Sequence, residues 1–512
     1  MNKSIKIPAF GLLSLAVLPN IGCSKKATEQ KPNIIYILAD DLGYGELGCY
    51  GQKQIETPNI DKLAEKGVRF TDFYAGAPVS APSRCVLLTG KHMGHSFVRG
   101  NDEWNSRGDV WDYKAVIADP NLEGQFPLPE SEITIAQMLK TVGYKTGIVG
   151  KWGLGGPLTN STPLQKGFDF FYGYNCQRQA HTYYPVHLYK NDKRVYLDND
   201  TVAPSTKLEK GADPLDPKSY ERYTLNEYAG DLMFDELTEF VNTNKDEPFF
   251  MYWATPIPHA PLQAPKRWVD YYVDKFGDEE PYIGNKGYYP SRNPHATYAA
   301  MISYLDEQVG LLVKQLKDLG IYENTLIVFT SDNGPTYNGG TDSPWFNSGG
   351  PFKSEYGWGK GFTNEGGMRV PLIASWPNKI KEGTESNHIS AFWDVLPTIC
   401  DITGLEIPDY ADGKSFLPEL LGEKQEKSKY LYWEFPEYGG QQAVRMGKWK
   451  AVRKNIKKGN LITELYNLEE DIQELNNVAE QHPDIIKEVE EIMVKEHTAS
   501  EHKMFRMEAL GD

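Results

Sequence analysis

Residues 33–39 read NIIYILA, a run without charge, and the next two residues are Asp40 and Asp41. A continuous apolar run of this length is the signature of a strand buried on both faces, as parallel strands are when helices cover them. The pattern recurs in YKTGIVG (144–150), PFFMYW (248–253) and TLIVFT (325–330), and VPLIASW (370–376) is expected to be the last strand of the main sheet. Helical patterns alternate with these runs. TPNIDKLAEKG (57–67) has Thr57 as N-cap, Pro58 at the first helical position and Gly67 at its close. In TIAQMLKTVG (134–143), Thr134 and Gln137 are spaced as a capping box. Over 299–319, Ile302, Leu305, Val309, Leu312 and Leu316 fall on one helical face.

This alternation predicts an α/β domain over 31–427, a doubly wound sheet flanked by helices. Residues 428–512 differ: YLYWEF, QAVRMGKWKAVR and ELYNLE read as short antiparallel strands and PDIIKEVEEIMVKEH as a closing helix. They predict a small C-terminal α+β subdomain. Residues 190–225 and 263–296 are polar, aromatic and rich in Pro and Gly, and are expected to be loops near a site mouth.

At the N-terminus, Lys3 and Lys6 precede an apolar stretch, 7–19, too short to span a bilayer. Ile21-Gly22 before Cys23 resembles a bacterial lipoprotein cleavage site, although Asn20 stands where leucine is usual. The reading is a lipoprotein-type signal over 1–22, lipidation of Cys23 and a tether over 23–30. The protein would be exported, periplasmic or anchored in the outer membrane, touching the membrane only through that lipid. Cys49, Cys85, Cys176 and Cys400 are too scattered for a zinc site. A formal net charge of −16 argues against nucleic acid as a partner.

The charged residues at the strand ends carry the chemistry. Asp40 and Asp41 follow the first run, and Asp332 and Asn333 follow TLIVFT. Sites in α/β sheets form at the carboxyl ends of strands. Either pair alone would read as a turn or a helix cap. Together, three carboxylates and an amide oxygen suit a hard divalent cation, calcium above all in an exported protein. Lys151 follows 144–150, His259 lies in TPIPHAP after 248–253, Lys360 in GKGFTNEGGMRVP before 370–376, and Arg84 in APVSAPSRCVLLTGKH. These cations can gather a small anion in a globally acidic protein.

With these residues the chain resembles the type I sulfatases of the alkaline phosphatase superfamily, serine-type, and among them bacterial carbohydrate sulfatases. The signature stands as Ser80, Pro82, Arg84, Thr89 and Gly90; Cys85 is out of register. PNIIYILADDLGYGELGCYG, GKWGLG, PHAP, FTSDNG and EGGMRVP extend the likeness over nearly all of 31–500. The resemblance implies an alkaline-phosphatase-like mixed sheet and oxidation of Ser80 to formylglycine (3-oxoalanine). One hydroxyl of the hydrated aldehyde would attack sulfur, and loss of a proton from the other would expel sulfate. It makes Asp40, Asp41, Asp332, Asn333 and modified Ser80 the ligands of one Ca2+. Arg84 would support the formylglycine; Lys151, His259 and Lys360 would hold the sulfate, with His259 or Lys360 as the acid. A serine-type residue implies a radical maturase acting before export, in an anaerobic bacterium.

The family often has a histidine two residues after the lysine; here that residue is Gly153. His92, in TGKHMGH, is a candidate replacement. The flanking blocks FYGYNCQRQAHTYYPVHLYKN and GGTDSPWFNSGGPFKSEYGWGKG resemble glycan-degrading enzymes acting from a chain end on 6-O-sulfated galactose or N-acetylgalactosamine, with 4-O regiochemistry as an alternative. Arg178, His181 and Asp342 are the candidate sugar contacts. The competing readings are a phosphodiesterase, phosphonate hydrolase or phosphatase of the same superfamily, and a non-catalytic glycan-binding lipoprotein.

Overall fold

The computed structural model describes Met1 and residues 30–512. Cys23 and the signal segment lie outside the described residues. Ten strands form one mixed sheet in the order Thr384–Ser386, Val68–Phe70, Leu372–Ser375, Thr325–Ser331, Asn33–Ala39, Phe249–Ala254, Lys145–Lys151, Phe170–Tyr174, His187–Lys190 and Lys193–Tyr196. The five from Thr325–Ser331 to Phe170–Tyr174 are mutually parallel. Asn33–Ala39 lies between Thr325–Ser331 and Phe249–Ala254, and its alternate residues serve two cores. Ile34, Tyr36 and Leu38 pack into one, and Ile35, Ile37 and Ala39 into the other. Burial on both faces is why this strand carries no alternation of polar and apolar residues.

The Leu372–Ser375 strand is antiparallel to both of its neighbours, and the sheet does not end with it. The edge strand Thr384–Ser386 pairs onto Val68–Phe70. Three residues carry too little pattern for sequence to register such a strand.

The capping box at Thr134 and Gln137 forms, opening the helix Ile135–Thr141. Thr57 precedes the helix Pro58–Glu65, but its side chain does not cap it. Thr57 Oγ1 instead accepts from the Gly48 N–H at 2.8 Å and donates to Asp61 Oδ1 at 3.1 Å. The long helix runs Pro294–Asp318, starting earlier than its apolar face predicts, with Pro294 in its first turn. The loop expected over 263–296 also contains a helix, Lys266–Phe276. Trp268, Tyr272 and Phe276 recur at four-residue spacing within its charged sequence and pack against the core.

Leu431–Phe435, Gln441–Met446, Trp449–Lys454 and Glu464–Asn467 form a separate antiparallel sheet, followed by the helix Pro483–Lys495. Trp433 Nε1 donates to the Ala75 carbonyl at 3.1 Å, and Lys450 Nζ lies 2.9 Å from Glu365 Oε1. The second sheet is thus bonded to the region that carries the candidate site. Among the described residues no helix is long and apolar enough to cross a membrane.

Candidate active site

Parallel register brings the two acidic clusters together. Ala39 lies opposite Ser331, so Asp40 and Asp332 leave adjacent strands side by side. The Asp332 N–H donates to the Ala39 carbonyl at 3.0 Å, and the Asp40 N–H to the Ile257 carbonyl at 3.1 Å. Asp41 has a φ of 64°, in the left-handed region. Successive side chains of a strand point to opposite faces; this turn of the backbone lets both Asp40 and Asp41 serve one cluster. Ligand atoms of Asp40, Asp41 and His259 lie within 4.8 Å of one another.

Ser80 is the first residue of the helix Ser80–Thr89, and Gly90 closes it at φ 70°. Pro82 is tolerated because first-turn N–H groups have no partner within the helix. Ser80 and Arg84 are one turn apart on the same face. Ser80 Oγ donates to Asp40 Oδ1 at 3.0 Å. Arg84 Nη2 lies 3.0 Å from Asp332 Oδ2 and 3.6 Å from Asp40 Oδ2. The helix start carries a partial positive charge, which favours anionic groups near Ser80. Cys85 is buried and accepts from Ser96 Oγ at 3.3 Å, a packed thiol.

The other basic side chains converge on the same carboxylates. Lys151 pairs with Asp40 Oδ2. Lys360 Nζ is 2.7 Å and His259 Nε2 3.6 Å from Asp41 Oδ2. His259 Nδ1 donates to the Ala260 carbonyl at 2.6 Å, which leaves Nε2 facing the cluster. Burial raises the Asp40 carboxyl, but Lys151, His259, Arg84 and Lys360 together outweigh it and hold the group below the usual carboxylate range. Burial and then the neighbouring Asp40 push Asp332 up to about 7. Burial, Lys360 and Lys151 hold His259 well below an ordinary imidazole. Lys360 is shifted upward, because its attraction to Asp41 outweighs burial.

A hard cation fits this donor set. Asn333 Nδ2 donates to Asp41 Oδ1 at 2.8 Å and to the Gly334 carbonyl at 2.9 Å, while the buried Asn333 Oδ1 has no partner. An unpartnered amide oxygen beside three buried carboxylates is the oxygen environment such ions take.

The candidate sugar contacts divide. His181 stacks on His259 with centroids 5.3 Å apart, and Tyr288 packs against both rings. Arg178 pairs with Glu103, whose carboxyl feels the Lys151 charge. Asp342 accepts from the Trp345 N–H at 3.1 Å and lies 3.1 Å from His295 Nε2, with its side chain 44% exposed. His92 does not take the place of a histidine at 153. Its Nε2 is 3.1 Å from Glu496 Oε2, its Nδ1 accepts from the Gly94 N–H, and it stacks on His95. The space above Gly153 is instead filled by Gln177 and Gln125. Sequence reading passed over Glu103, Gln125, Gln177 and Tyr288. Their one signal was the glycine at 153, which calls for something bulky nearby.

Comparison with known proteins agrees with this architecture. The sulfatase family model matches residues 32–405, and the model of the N-sulphoglucosamine sulphohydrolase C-terminal region matches 354–500. Human arylsulfatase A is 33% identical over 451 residues, 83% of this chain and 75% of that protein. The N-acetylgalactosamine-6-O-sulfatase of Bacteroides thetaiotaomicron is 29% identical over 541 residues, 94% of this chain and 98% of that one. The crystal structure of Ps i-CgsB in complex with k-i-k-neocarrahexaose superposes with a TM-score of 0.69 at 29% identity, covering 91% of this chain and 92% of the other. Clustered strand-end carboxylates, the Ser80 helix and matches over most of the chain make it a member of the sulfatase family, a sulfuric ester hydrolase with an alkaline-phosphatase-like fold.

Proposed function

We propose that the protein hydrolyses sulfate esters of saccharides with S–O cleavage, acting at a chain end on 6-O-sulfated galactose or N-acetylgalactosamine. The reading rests above all on the Ser80 hydroxyl at a helix start, bonded to Asp40 amid Arg84, Lys151, Lys360 and the His259 imidazole. The likeness to an N-acetylgalactosamine-6-O-sulfatase over 94% of the chain supports the sugar.

Formylglycine made from Ser80 would supply a hydrated aldehyde as nucleophile, and Asp40, Asp41, Asp332, Asn333 and the modified Ser80 would hold a Ca2+ ion that offsets sulfuryl charge. The chain's own groups do the rest. Lys151 and Lys360 hold the sulfuryl oxygens. His259, with Nδ1 tied to a carbonyl, turns Nε2 toward the cluster, where the charge of an entering sulfate favours the proton that Nε2 then gives to the leaving sugar oxygen. Arg84 fixes Asp332 and Asp40 from behind Ser80. Export and lipidation at Cys23, after a serine-type radical maturase has acted in an anaerobic bacterium, belong to the same reading.

The test is mass spectrometry of the tryptic peptide FTDFYAGAPVSAPSR from protein co-expressed with such a maturase, with sulfate release from N-acetylgalactosamine 6-sulfate measured alongside. The reading expects Ser80 lighter by two hydrogens and sulfate set free. Unmodified Ser80 in an active enzyme would overturn the formylglycine route, and activity confined to 4-O-sulfated sugars the regiochemistry.

A further inference from the structure

Residues 175–178 follow directly on the strand Phe170–Tyr174, the parallel neighbour of the strand that ends in Lys151. This turn holds three buried polar atoms without a hydrogen-bond partner: Asn175 Oδ1, Gln177 Nε2 and Arg178 Nε. Leaving one such group unpaired costs about 1–3 kcal/mol. Several in one turn beside a site mark a surface completed by a ligand.

The neighbourhood holds Gln177 in place. Its N–H donates to Gln125 Oε1 at 3.1 Å, and Gln125 Nε2 donates to Glu103 Oε1 at 3.3 Å. Gly153, two residues beyond Lys151, has a φ of 75°, and a Cβ there would lie 2.1 Å from Gln177 Nε2. The glycine thus makes room for the carboxamide. Four residues beyond Gln177, His181 stacks on His259. The turn therefore runs along the site from the Lys151 strand to the proposed acid. Gln177 is 5% exposed, comparable with Ser80 at 2% and Lys151 at 1%.

We infer that Asn175 and Gln177 bind hydroxyl groups of the sugar ring that bears the sulfate, Asn175 Oδ1 accepting and Gln177 Nε2 donating. A sulfuryl oxygen only accepts and would leave Asn175 unanswered. A hydroxyl donates and accepts, and suits both amides. This specificity role rests on the sulfatase reading of the same site.

The test uses matured enzyme and measures KM and kcat for N-acetylgalactosamine 6-sulfate or galactose 6-sulfate, whichever the wild type cleaves faster. The inhibition constant of inorganic sulfate reports the sulfuryl pocket alone. Gln177→Ala, Gln177→Glu and Asn175→Ala should each raise KM about tenfold, with smaller effects on kcat and sulfate inhibition within about twofold of wild type. Gly153→Ala, which displaces the carboxamide, should follow Gln177→Ala. An unchanged KM, a wild-type KM for Gln177→Glu, or KM and the sulfate constant rising in proportion would each overturn the sugar contact. A wild-type enzyme that freed sulfate from no sulfated galactose or N-acetylgalactosamine would instead overturn the substrate reading beneath it.

Discussion

Lys450 and Glu365 form an ion pair at 2.9 Å with both side chains fully buried. Lys450 belongs to the C-terminal sheet, and Glu365 opens the short helix Glu365–Met368, a few residues beyond Lys360. Lys450→Met leaves Glu365 with Arg369 and Tyr74 but removes one of its cations. The expected cost is about 3 kcal/mol, the scale for breaking a buried pair. A thermal melt reads it directly, and an unchanged melting temperature would strike the pair from the contacts that hold the two sheets together.

Lys360 is held charged beside Asp41, so its ammonium is available to any anion that enters the cluster. Lys360→Met is expected to lower kcat/KM at least about 100-fold, the scale for losing one preorganised electrostatic contact to the reacting group. Steady-state kinetics on the sulfated sugar check this. A variant within a few fold of wild type would move the sulfate-holding role to Lys151.

Chelation should abolish activity and lower the melting temperature, because an ion bound only by the folded state stabilises by mass action. Ca2+ should restore both. Asp332→Ala should lose activity and metal together, since its carboxylate anchors Arg84 and the Asp41 N–H. Full metal content with retained activity would remove Asp332 from the centre.

Glu496 accepts from His92, Lys495 and Tyr430. Its hydrogen bond with His92 is the largest influence on it, and these partners outweigh burial to hold its carboxyl below the ordinary glutamate value. A carboxyl depressed on folding contributes stability that is complete above its unfolded pKa and is lost as pH falls through the folded one. Glu496→Gln should therefore melt lower than wild type at pH 7, and the gap should begin to narrow below about pH 4.5 and close only in much stronger acid. Melting curves across that range would show it; a constant gap would assign the effect to packing instead of charge.

The central parallel strands and the groups at their ends were readable because burial on both faces leaves an unbroken apolar run. Ser80 and Arg84 were readable because a shared helical face demands that spacing. The edges were not. Thr384–Ser386 is short and half exposed, and Lys266–Phe276 hides its aromatic stripe among charges. Asp342 stands in a loop, where carboxylates often meet sugars, and only the structure shows that it also caps the Ser343–Phe346 helix and meets His295. His92 failed for a related reason: its partners come from residues hundreds of positions away. Gln177 was illegible because its meaning depends on which glycine it leans over.

The backbone hydrogen bonds from Asp332 to Ala39, within the sheet, and from Asp40 to Ile257, just past the strand Phe249–Ala254, bind the acidic groups to the sheet and its end. The cluster therefore inherits the stiffness of the most buried strands in the molecule. The turn over 175–178 is tied to them as well, through the Gly153 N–H donating to the Asn175 carbonyl at 3.1 Å, whereas among the described residues the loop bearing Tyr288 makes no such backbone bond to the central strands. One chain is thereby divided between a part that cannot drift without unfolding and a rim that can be rewritten residue by residue. A change of sugar can arise in that rim while the chemistry at Ser80 stays as it is.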